Sequence, residues 1–246
     1  VLIGLDRDSM MLDFAAERVS GAGRHLIQSS YSEIKNVLNE LGIDLVDRIL
    51  LDLGLSSDQL ADRQRGFGYS VDAPLDMRFD NRSGQSVEEY LANVDQEKLI
   101  EVLNTYGEEK FSDAITQAIV KRRRKQPIKT TRDLTETLEE AIPARFRKQA
   151  RKNPATRVFQ ALRIVVNQEL THLEQALQTE LFEVLKPGGS LSIITFHSLE
   201  DRLVKNAFRD DNRWKVLAKK PTAPTPAEVR MNPRSRSAKL RTAAKL

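Results

Sequence analysis

Cysteine is the most informative absence from this sequence of 246 residues, which contains none. The absence excludes disulfide bonds, thiolate metal ligands and a cysteine nucleophile, and it agrees with a reducing compartment. No secretory signal is visible, and no apolar run approaches the roughly 18 residues that a membrane span needs. We therefore predict a cytoplasmic protein with neither a membrane partner nor a bound metal.

A glycine-rich phosphate-binding loop is the second absence. In a Rossmann-like sheet this loop precedes the second strand by roughly 20 residues, whereas this chain begins at Val1 with an apolar strand already under way. Residues 21–23 contain two glycines, but they follow a predicted helix rather than a strand. We interpret the sequence as a piece that lacks its true N-terminus.

Basic residues are concentrated towards the C-terminal end. The whole chain has a net charge of only +4, from 39 Lys and Arg against 35 Asp and Glu. Beyond Arg209, however, cations far outnumber acids, and residues 234–241 interleave serines with Arg and Lys. Hydroxyl and guanidinium groups in that pattern suit phosphate contacts. We therefore favour a polyanionic partner, nucleic acid before an anionic membrane, over a solvated or disordered tail.

The first 60 residues alternate between strand and helix patterns. Apolar stretches near residues 2–5, 25–28 and 49–51 predict strands, and helices are predicted after Asp8, a suitable N-cap, and over residues 33–41. This β-α-β-α-β order predicts an α/β fold with a doubly wound parallel sheet. A further strand is predicted over residues 190–196, after a long helix from Asn153 towards Leu185 and a break at residues 186–189.

A mostly helical segment separates the two groups of strands. Capping-box spacing of Ser86 with Glu89, and of Thr130 with Asp133, marks two helix starts. The glycines, aromatics and charges of residues 63–80 are typical of an ordered functional loop rather than a surface excursion. We interpret residues 1–65 as the first part of the main domain, 66–152 as an inserted helical subdomain with its connecting loop, and 153–246 as the second part with a basic tail.

Chemistry is predicted at the carboxyl ends of the strands, where open α/β sheets bind ligands. Asp6 is placed to accept hydrogen bonds from ribose hydroxyls, or else it is a solvated turn residue. Tyr31 either flanks an adenine ring or is a core aromatic. Asp52 is the first candidate for orienting reactants, and His197, at the same edge, is either catalytic or structural.

These positions describe a site for the nucleoside half of a cofactor. The pattern alone does not separate NAD from S-adenosylmethionine, because both contain adenosine. The chain has no second mononucleotide-binding half, which argues against NAD, and its basic segments indicate a polyanionic substrate. Methyl transfer is therefore the favoured chemistry.

Eight motifs along nearly the whole chain carry a family resemblance. They are LDLGLSSDQL at 51–60, RGF at 65–67, PLDMR at 74–78, YGEE at 106–109, PATR at 154–157, FQALR at 159–163, FHSLEDR at 196–202 and NPRSRSAKLR at 232–241. In this order they resemble the bacterial 16S ribosomal RNA cytosine-N4 methyltransferase family, the small-subunit methyltransferase H type. Tyr31 stands where phenylalanine is usual in that family and Gly68 where serine is usual, and the family's glycine-rich cofactor loop is missing.

The resemblance implies a Rossmann-like class I S-adenosylmethionine-dependent methyltransferase with an inserted α-helical subdomain. The implied reaction is methylation of the N4 amino group of a cytidine in the decoding region of 16S rRNA. The implied partner is 16S rRNA or the small ribosomal subunit, and a homodimer is left open. The implied cofactor contacts are Asp6, Tyr31, Asp52 and Gln59. We assign RNA contacts to Arg78, Arg157, Arg163, Arg234 and Arg236.

The composition agrees with this reaction. Methylation of carbon 5 of cytosine normally requires covalent activation by a cysteine, whereas an exocyclic amine attacks the methyl group directly. The site must position that amine and accept its hydrogens, a role for Asp52 first and for His197 or Ser198 next. The base must be unstacked, with residues 121–125 and 234–241 holding flanking phosphates. The alternative function is a non-catalytic nucleic-acid-binding or ribosome-assembly protein on a decayed Rossmann domain.

Overall fold

The computed structural model describes residues 1–149 and 153–246, and the chain divides into two compact units. The first, here called the sheet unit, comprises Val1–Gly54 and Leu170–Leu246, and the second, the helical unit, comprises Leu55–Glu169. The helical unit is wider than the predicted insertion of residues 66–152, because the helix that follows residue 153 packs into the helical core. The division into a main domain in two parts and an inserted helical subdomain stays a prediction.

Strands lie in the sheet unit and helices in both units. In chain order the elements are β1 (Leu2–Asp6), α1 (Ser9–Arg18), β2 (Arg24–Gln28), a 3₁₀ turn (Tyr31–Glu33), α2 (Ile34–Glu40), β3 (Val46–Asp52), α3 (Ser57–Ala61), α4 (Val87–Asn93), α5 (Gln96–Gly107), α6 (Ser112–Arg123), α7 (Thr131–Ala141), α8 (Ala144–Gln149), α9 (Pro154–Asn167), α10 (Glu169–Gln175), a π-helical turn (Ala176–Glu180), α11 (Leu181–Glu183), β4 (Leu185–Thr195), α12 (Ser198–Asp210), β5 (Trp214–Val216), α13 (Pro226–Met231), a second 3₁₀ turn (Pro233–Ser237) and β6 (Lys239–Lys245). Within the described ranges, none of these helices has the length and hydropathy to cross a bilayer.

Parallel pairing joins the strands that the sequence predicted, but in two separate sheets. β1 pairs with β2, and β3 pairs with β4 in a sheet of order β3-β4-β6-β5. Both sheets contact one hydrophobic cluster, which includes Ile49 and Leu191 and against which Ile3 and Leu5 of β1 pack. The fold is therefore the predicted Rossmann-like α/β class.

The prediction of a basic tail is wrong for residues 239–245, which form β6 inside the sheet. β6 lies between β4 and β5 and runs antiparallel to both. Ala243 is fully buried, and the Lys245 ammonium donates to the carbonyl oxygens of Phe182 and Leu185, both at 2.8 Å. A cation of this strand therefore stabilises the sheet unit from within.

A bulge in β4 replaces the break that was predicted at residues 186–189. The register of β4 against β3 shifts at this point. Gly188 has a φ of 77°, and a Cβ on Gly189 would lie 3.0 Å from the carbonyl oxygen of Asp47. Because side chains are disfavoured at both positions, the two glycines help to set the register in which β3 ends at Asp52.

The core of the helical unit is formed by the apolar faces of α5, α6, α7 and α9. Both predicted capping boxes are confirmed, at Ser86 with Glu89 before α4 and at Thr130 with Asp133 before α7. The completely buried side chains of this core include Leu99, Leu103, Ile115, Ile119, Leu134 and Leu162. These side chains recur at helical spacing and so bring one apolar face of each helix to the core.

The long helix predicted after Asn153 is interrupted, because α9 ends at Asn167 and Gln168 adopts a φ of 53°. The Asn167 side chain is buried. Its Nδ2 donates to the carbonyl oxygen of Met77 at 2.7 Å, and its Oδ1 accepts from the amide of Phe79 at 2.8 Å. At the C-terminal end of α9, the Asn167 side chain thus satisfies backbone groups of residues 77 and 79.

Gly66 is the position where the helical unit is most sensitive to an added methyl group. Its φ is 67°, and a Cβ would lie 2.2 Å from the carbonyl oxygen of Pro74. Gly84 has a similar φ of 77°, but a Cβ there would have no atom within 4 Å. We expect Gly66→Ala to lower the free energy of unfolding by about 2 kcal/mol more than Gly84→Ala, because only the first adds a backbone clash to the conformational strain. Denaturant titration of both variants measures the difference; equal losses would contradict the assigned clash.

Candidate active site

The loops at the carboxyl ends of β1 and β2 lie side by side. The amide of Ser29 donates to the carbonyl oxygen of Asp6 at 3.0 Å, and Nε2 of Gln28 donates to the carbonyl oxygen of Arg7 at 2.9 Å. The Asp6 carboxylate accepts from the amide of Asp8 at 2.8 Å. This bond orients a half-buried carboxylate at a strand end, where open α/β sheets bind ribose hydroxyls.

Tyr31 begins the 3₁₀ turn that follows β2. Ser30 caps this turn by accepting a hydrogen bond from the amide of Ser32 at 3.2 Å. The Tyr31 ring packs against the hydrophobic cluster of the sheet unit and remains partly exposed. The ring therefore contributes to the core, while its contact with an adenine stays a prediction.

Asp52 is the last residue of β3. It lies on the exposed side of the strand, yet nearby protein atoms desolvate its carboxyl group enough to raise its pKa above the usual value for aspartate. Gly54 follows with a φ of 92°, and a Cβ there would lie 3.4 Å from the Phe196 ring. The chain leaving β3 therefore passes close to the chain leaving β4, and Asp52 and His197 follow neighbouring strands as predicted.

His197, and not the hydroxyl residue Ser198 that follows it, is the N-cap of α12. The imidazole Nδ1 accepts from the amide of Glu200 at 3.3 Å, and Nε2 lies 3.1 Å from a Glu200 carboxylate oxygen. The same carboxylate accepts from the amides of Phe196 and His197 at 2.9 and 3.2 Å. Nδ1 is thus committed to the cap of α12, whereas the buried Nε2 lies near the Glu200 carboxylate without a hydrogen bond in the described part of the chain. The catalytic role of His197 stays a prediction.

Asp201 holds two of the cations that were predicted to bind phosphates. Its carboxylate accepts from Nζ of Lys239 at 2.8 Å and from Nε of Arg241 at 2.7 Å. Burial alone would raise the pKa of Asp201, but the bonds from Arg241 and Lys239 lower it below the usual value. Within residues 234–241, the exposed cations that do not pair with Asp201 are therefore Arg234 and Arg236.

Two of the arginines assigned to RNA lie in bidentate pairs with carboxylates of the helical unit. Arg78 contacts both carboxylate oxygens of Asp76, at 2.8 and 2.7 Å, and Arg163 contacts those of Glu169, at 2.8 and 2.9 Å. Such paired guanidinium groups are largely committed within the protein. Arg157 differs, because its side chain is 42% exposed.

The basic cluster at residues 121–125 divides into structural and exposed cations. Arg122 donates to a carboxylate oxygen of Asp133 at 2.9 Å, and Arg123 donates to the carbonyl oxygen of Leu91 at 2.7 Å. The remaining members of the cluster are exposed, and these are Lys121, Arg124 and Lys125.

Gln59 belongs to the helical unit and is almost completely buried. Its side-chain oxygen accepts from the amide of Ser56 at 3.1 Å, while the hydroxyl of Ser56 accepts from the amide of Gln59 at 3.0 Å. This capping box begins α3. The predicted contact of Gln59 with the cofactor stays a prediction.

Sequence reasoning missed the buried carboxylates that support these groups. Glu109 is 2% exposed as a side chain and lies 3.6 Å from the guanidinium of Arg157. Glu200 plays the corresponding part beside His197. Glu109 belongs to the motif YGEE and Glu200 to FHSLEDR. Membership of these motifs is the signal from which the two acids could have been identified.

The parallel β-α-β arrangement, with carboxylates at the ends of β1 and β3, is that of a Rossmann-like fold that binds a nucleoside at this edge, the fold class expected for a class I methyltransferase. The comparison with known families agrees. The chain matches the MraW methylase family over residues 1–246 and belongs to that family.

Three curated relatives are each named "Ribosomal RNA small subunit methyltransferase H". The protein of Carboxydothermus hydrogenoformans is 43% identical over 265 residues, covering 100% of this chain and 84% of the relative. That of Brevibacillus brevis is 42% identical with the same coverage. That of Cutibacterium acnes is 46% identical over 239 residues, covering 96% of this chain and 71% of the relative.

Proposed function

We propose that this chain transfers a methyl group from S-adenosylmethionine to the N4 amino group of a cytidine in the decoding region of 16S rRNA. Membership of a methylase family and the name shared by its relatives support methylation of small-subunit rRNA. The observation that carries the choice of chemistry is the partly desolvated Asp52 carboxylate at the end of β3.

The residues of the sheet unit fit the adenosine part of S-adenosylmethionine. Asp6 lies at the carboxyl end of β1 and already has one carboxylate oxygen held by the amide of Asp8. The partly exposed ring of Tyr31 is placed on the neighbouring loop. Asp6 would bind the ribose hydroxyls and Tyr31 the adenine face. The bound cofactor would supply an electrophilic methyl group.

Asp52 would orient the exocyclic amine of cytosine and accept hydrogen bonds from its protons. The lone pair of this amine is delocalised into the ring, so positioning and removal of a proton both lower the barrier. A pKa raised by desolvation brings Asp52 closer to the range of an effective proton acceptor. The absence of cysteine argues against methylation at carbon 5, which needs a covalent nucleophile.

Exposed cations of both units would hold the RNA backbone. In the sheet unit these are Arg234 and Arg236, and in the helical unit they are Lys121, Arg124, Lys125 and the partly exposed Arg157. Because Arg78 and Arg163 are paired with carboxylates, we propose that their main role is to stabilise the segments that carry them, residues 76–78 and the end of α9, and that phosphate contact is secondary.

Analysis of the methylated nucleoside tests the proposed function. The chain is incubated with S-adenosylmethionine carrying a labelled methyl group and with small ribosomal subunits that lack base methylation. The RNA is then digested to nucleosides. We expect label in N4-methylcytidine. Label in 5-methylcytidine would overturn the assigned chemistry, and RNA binding without any transfer would support the non-catalytic alternative.

Charge reversal at Arg234 and Arg236 should weaken RNA binding. Loss of two phosphate contacts is expected to lower the salt-dependence slope of the binding constant by about 2. Filter binding of a 16S rRNA fragment over a range of salt concentrations measures this slope. The matched control reverses Lys35 and Lys98, which are exposed and paired with Glu183 and Glu101. Equal slopes for the two double variants would rule out direct phosphate contact by the arginines.

A further inference from the structure

A histidine of α10 contacts the loop that carries Tyr31. Nδ1 of His172 lies 3.1 Å from the hydroxyl oxygen of Ser32, although the two residues are 140 positions apart in the sequence. The Ser32 hydroxyl in turn donates to the hydroxyl of Ser30 at 2.8 Å. Ser32 is buried, so this chain of hydrogen bonds runs underneath the 3₁₀ turn.

These bonds fix the conformation of the turn. The Ser30 hydroxyl oxygen also accepts from the amide of Ser32. It therefore caps the turn and at the same time accepts the hydrogen bond from the Ser32 hydroxyl. Tyr31 lies between the two serines. The backbone at Tyr31 is therefore tied to the side chain of His172 through Ser32.

The same imidazole faces charges from both nucleoside-binding loops. Burial is the main reason that the pKa of His172 lies below the usual value for histidine, and the positive charge of Arg7, after β1, lowers it further. Glu33, in the 3₁₀ turn, acts in the opposite direction but does not cancel these effects. At pH 7 the ring is therefore predominantly neutral.

We propose that neutral His172 is a positioning residue that holds the Ser30–Ser32 turn and Tyr31 in the conformation that binds adenosine. The inference rests on the proposed function, because it concerns the loops assigned to S-adenosylmethionine. The Ser32 hydroxyl donates its hydrogen to Ser30, so in its contact with His172 the Ser32 oxygen must accept, and the donor is Nδ1–H of the imidazole. The neutral His172 ring therefore has an unprotonated Nε2. A second proton places a positive charge in a partly buried site that faces Arg7, and the turn loosens.

The sign of the pH effect follows from the lowered pKa. The unfolded chain, with an ordinary histidine, binds a proton more readily than the native turn does. The contribution of His172 is therefore present at neutral pH and is lost as the pH falls below about 6.5. Binding of an adenosine ligand should weaken over the same range.

Calorimetric titration with S-adenosylhomocysteine at pH 7.5 and pH 5.5 tests this inference. We expect the affinity of the unmodified chain to fall about fivefold at the lower pH. His172→Gln keeps a neutral polar partner for Ser32 and should bind nearly equally at both values. His172→Phe has no polar partner and should bind weakly at both. His25→Gln, in β2, is the matched control and should keep the pH dependence of the unmodified chain.

Amide hydrogen exchange of residues 30–33, without ligand, provides a second readout. After correction for intrinsic rates, exchange should be faster at pH 5.5 in the unmodified chain and independent of pH in His172→Gln. The same pH dependence in both proteins would overturn the role of His172. If the ligand does not bind at any pH while the exchange result holds, the assignment of these loops to the cofactor fails and the role of His172 in holding the turn remains.

Discussion

Asp52→Asn should lower kcat for methyl transfer about 100-fold, the range expected when one positioned proton acceptor is removed. Asparagine preserves the size of the side chain at the end of β3 but cannot take up a proton from the attacking amine. If Asp52 also contacts the cofactor, the KM for S-adenosylmethionine should rise as well, by less than the fall in kcat. Steady-state kinetics with saturating RNA separates the two quantities.

The pH profile gives this prediction a second measurement. Because desolvation raises the pKa of Asp52, the carboxyl group should lose activity by protonation at a higher pH than an ordinary aspartate would. The fall of kcat at low pH should therefore disappear from the pH profile of Asp52→Asn. Asp47→Asn is the matched control, since Asp47 lies at the other end of β3, exposed and paired with Lys186. Unchanged kcat in Asp52→Asn, with an unchanged profile, would remove Asp52 from the chemistry.

Asn167→Ala should destabilise the helical unit by about 3 kcal/mol. The substitution leaves the buried carbonyl of Met77 and the amide of Phe79 without their side-chain partner, and each unsatisfied buried group costs roughly 1–3 kcal/mol. Met77 has a φ of 60° and is completely buried, so the lost bonds also support a strained backbone. The melting temperature of this unit should fall by about 10 °C.

Asn93→Ala is the matched control for this experiment. Asn93 is exposed on α4, and its Nδ2 donates to the carbonyl oxygen of Glu89 at 2.9 Å. An exposed bond of this kind is exchanged for water at little cost, so we expect a loss within about 0.5 kcal/mol. Differential scanning calorimetry compares the two variants. A loss for Asn167→Ala no larger than that for Asn93→Ala would mean that the 77–79 segment does not depend on this side chain.

Features that depend on neighbouring residues were predictable from the sequence. Asp8 caps α1, and the two predicted capping boxes begin α4 and α7, because a cap needs only the next few amides. The strand order β-α-β-α-β also followed from local apolar runs. These features place Asp6 and Asp52 at strand ends.

Features that depend on distant partners were not predictable. Arg241 and Asp201 are 40 positions apart, and their ion pair is one of the contacts that hold this basic segment in the sheet. Asn167 and Met77 are 90 positions apart, so the end of α9 had no local signal beyond a polar residue in a helical pattern. The capping role of His197 was missed for a different reason, since an imidazole nitrogen replaced the usual hydroxyl acceptor.

The pairing of β3 with β4 sets an order of folding during synthesis. Leu51 pairs with Ile193, so the whole helical unit emerges from the ribosome before β3 meets its partner. Because compact units tend to fold as they emerge during translation, the helical unit can form first. During this time β3 has an unpaired edge, which is prone to association with other chains. β5 has no partner until β6, which lies between it and β4 and is the last of these strands to be made, has been synthesised. A nascent chain halted before β6 should therefore contain a protease-resistant helical unit and a sheet unit that proteases still cleave.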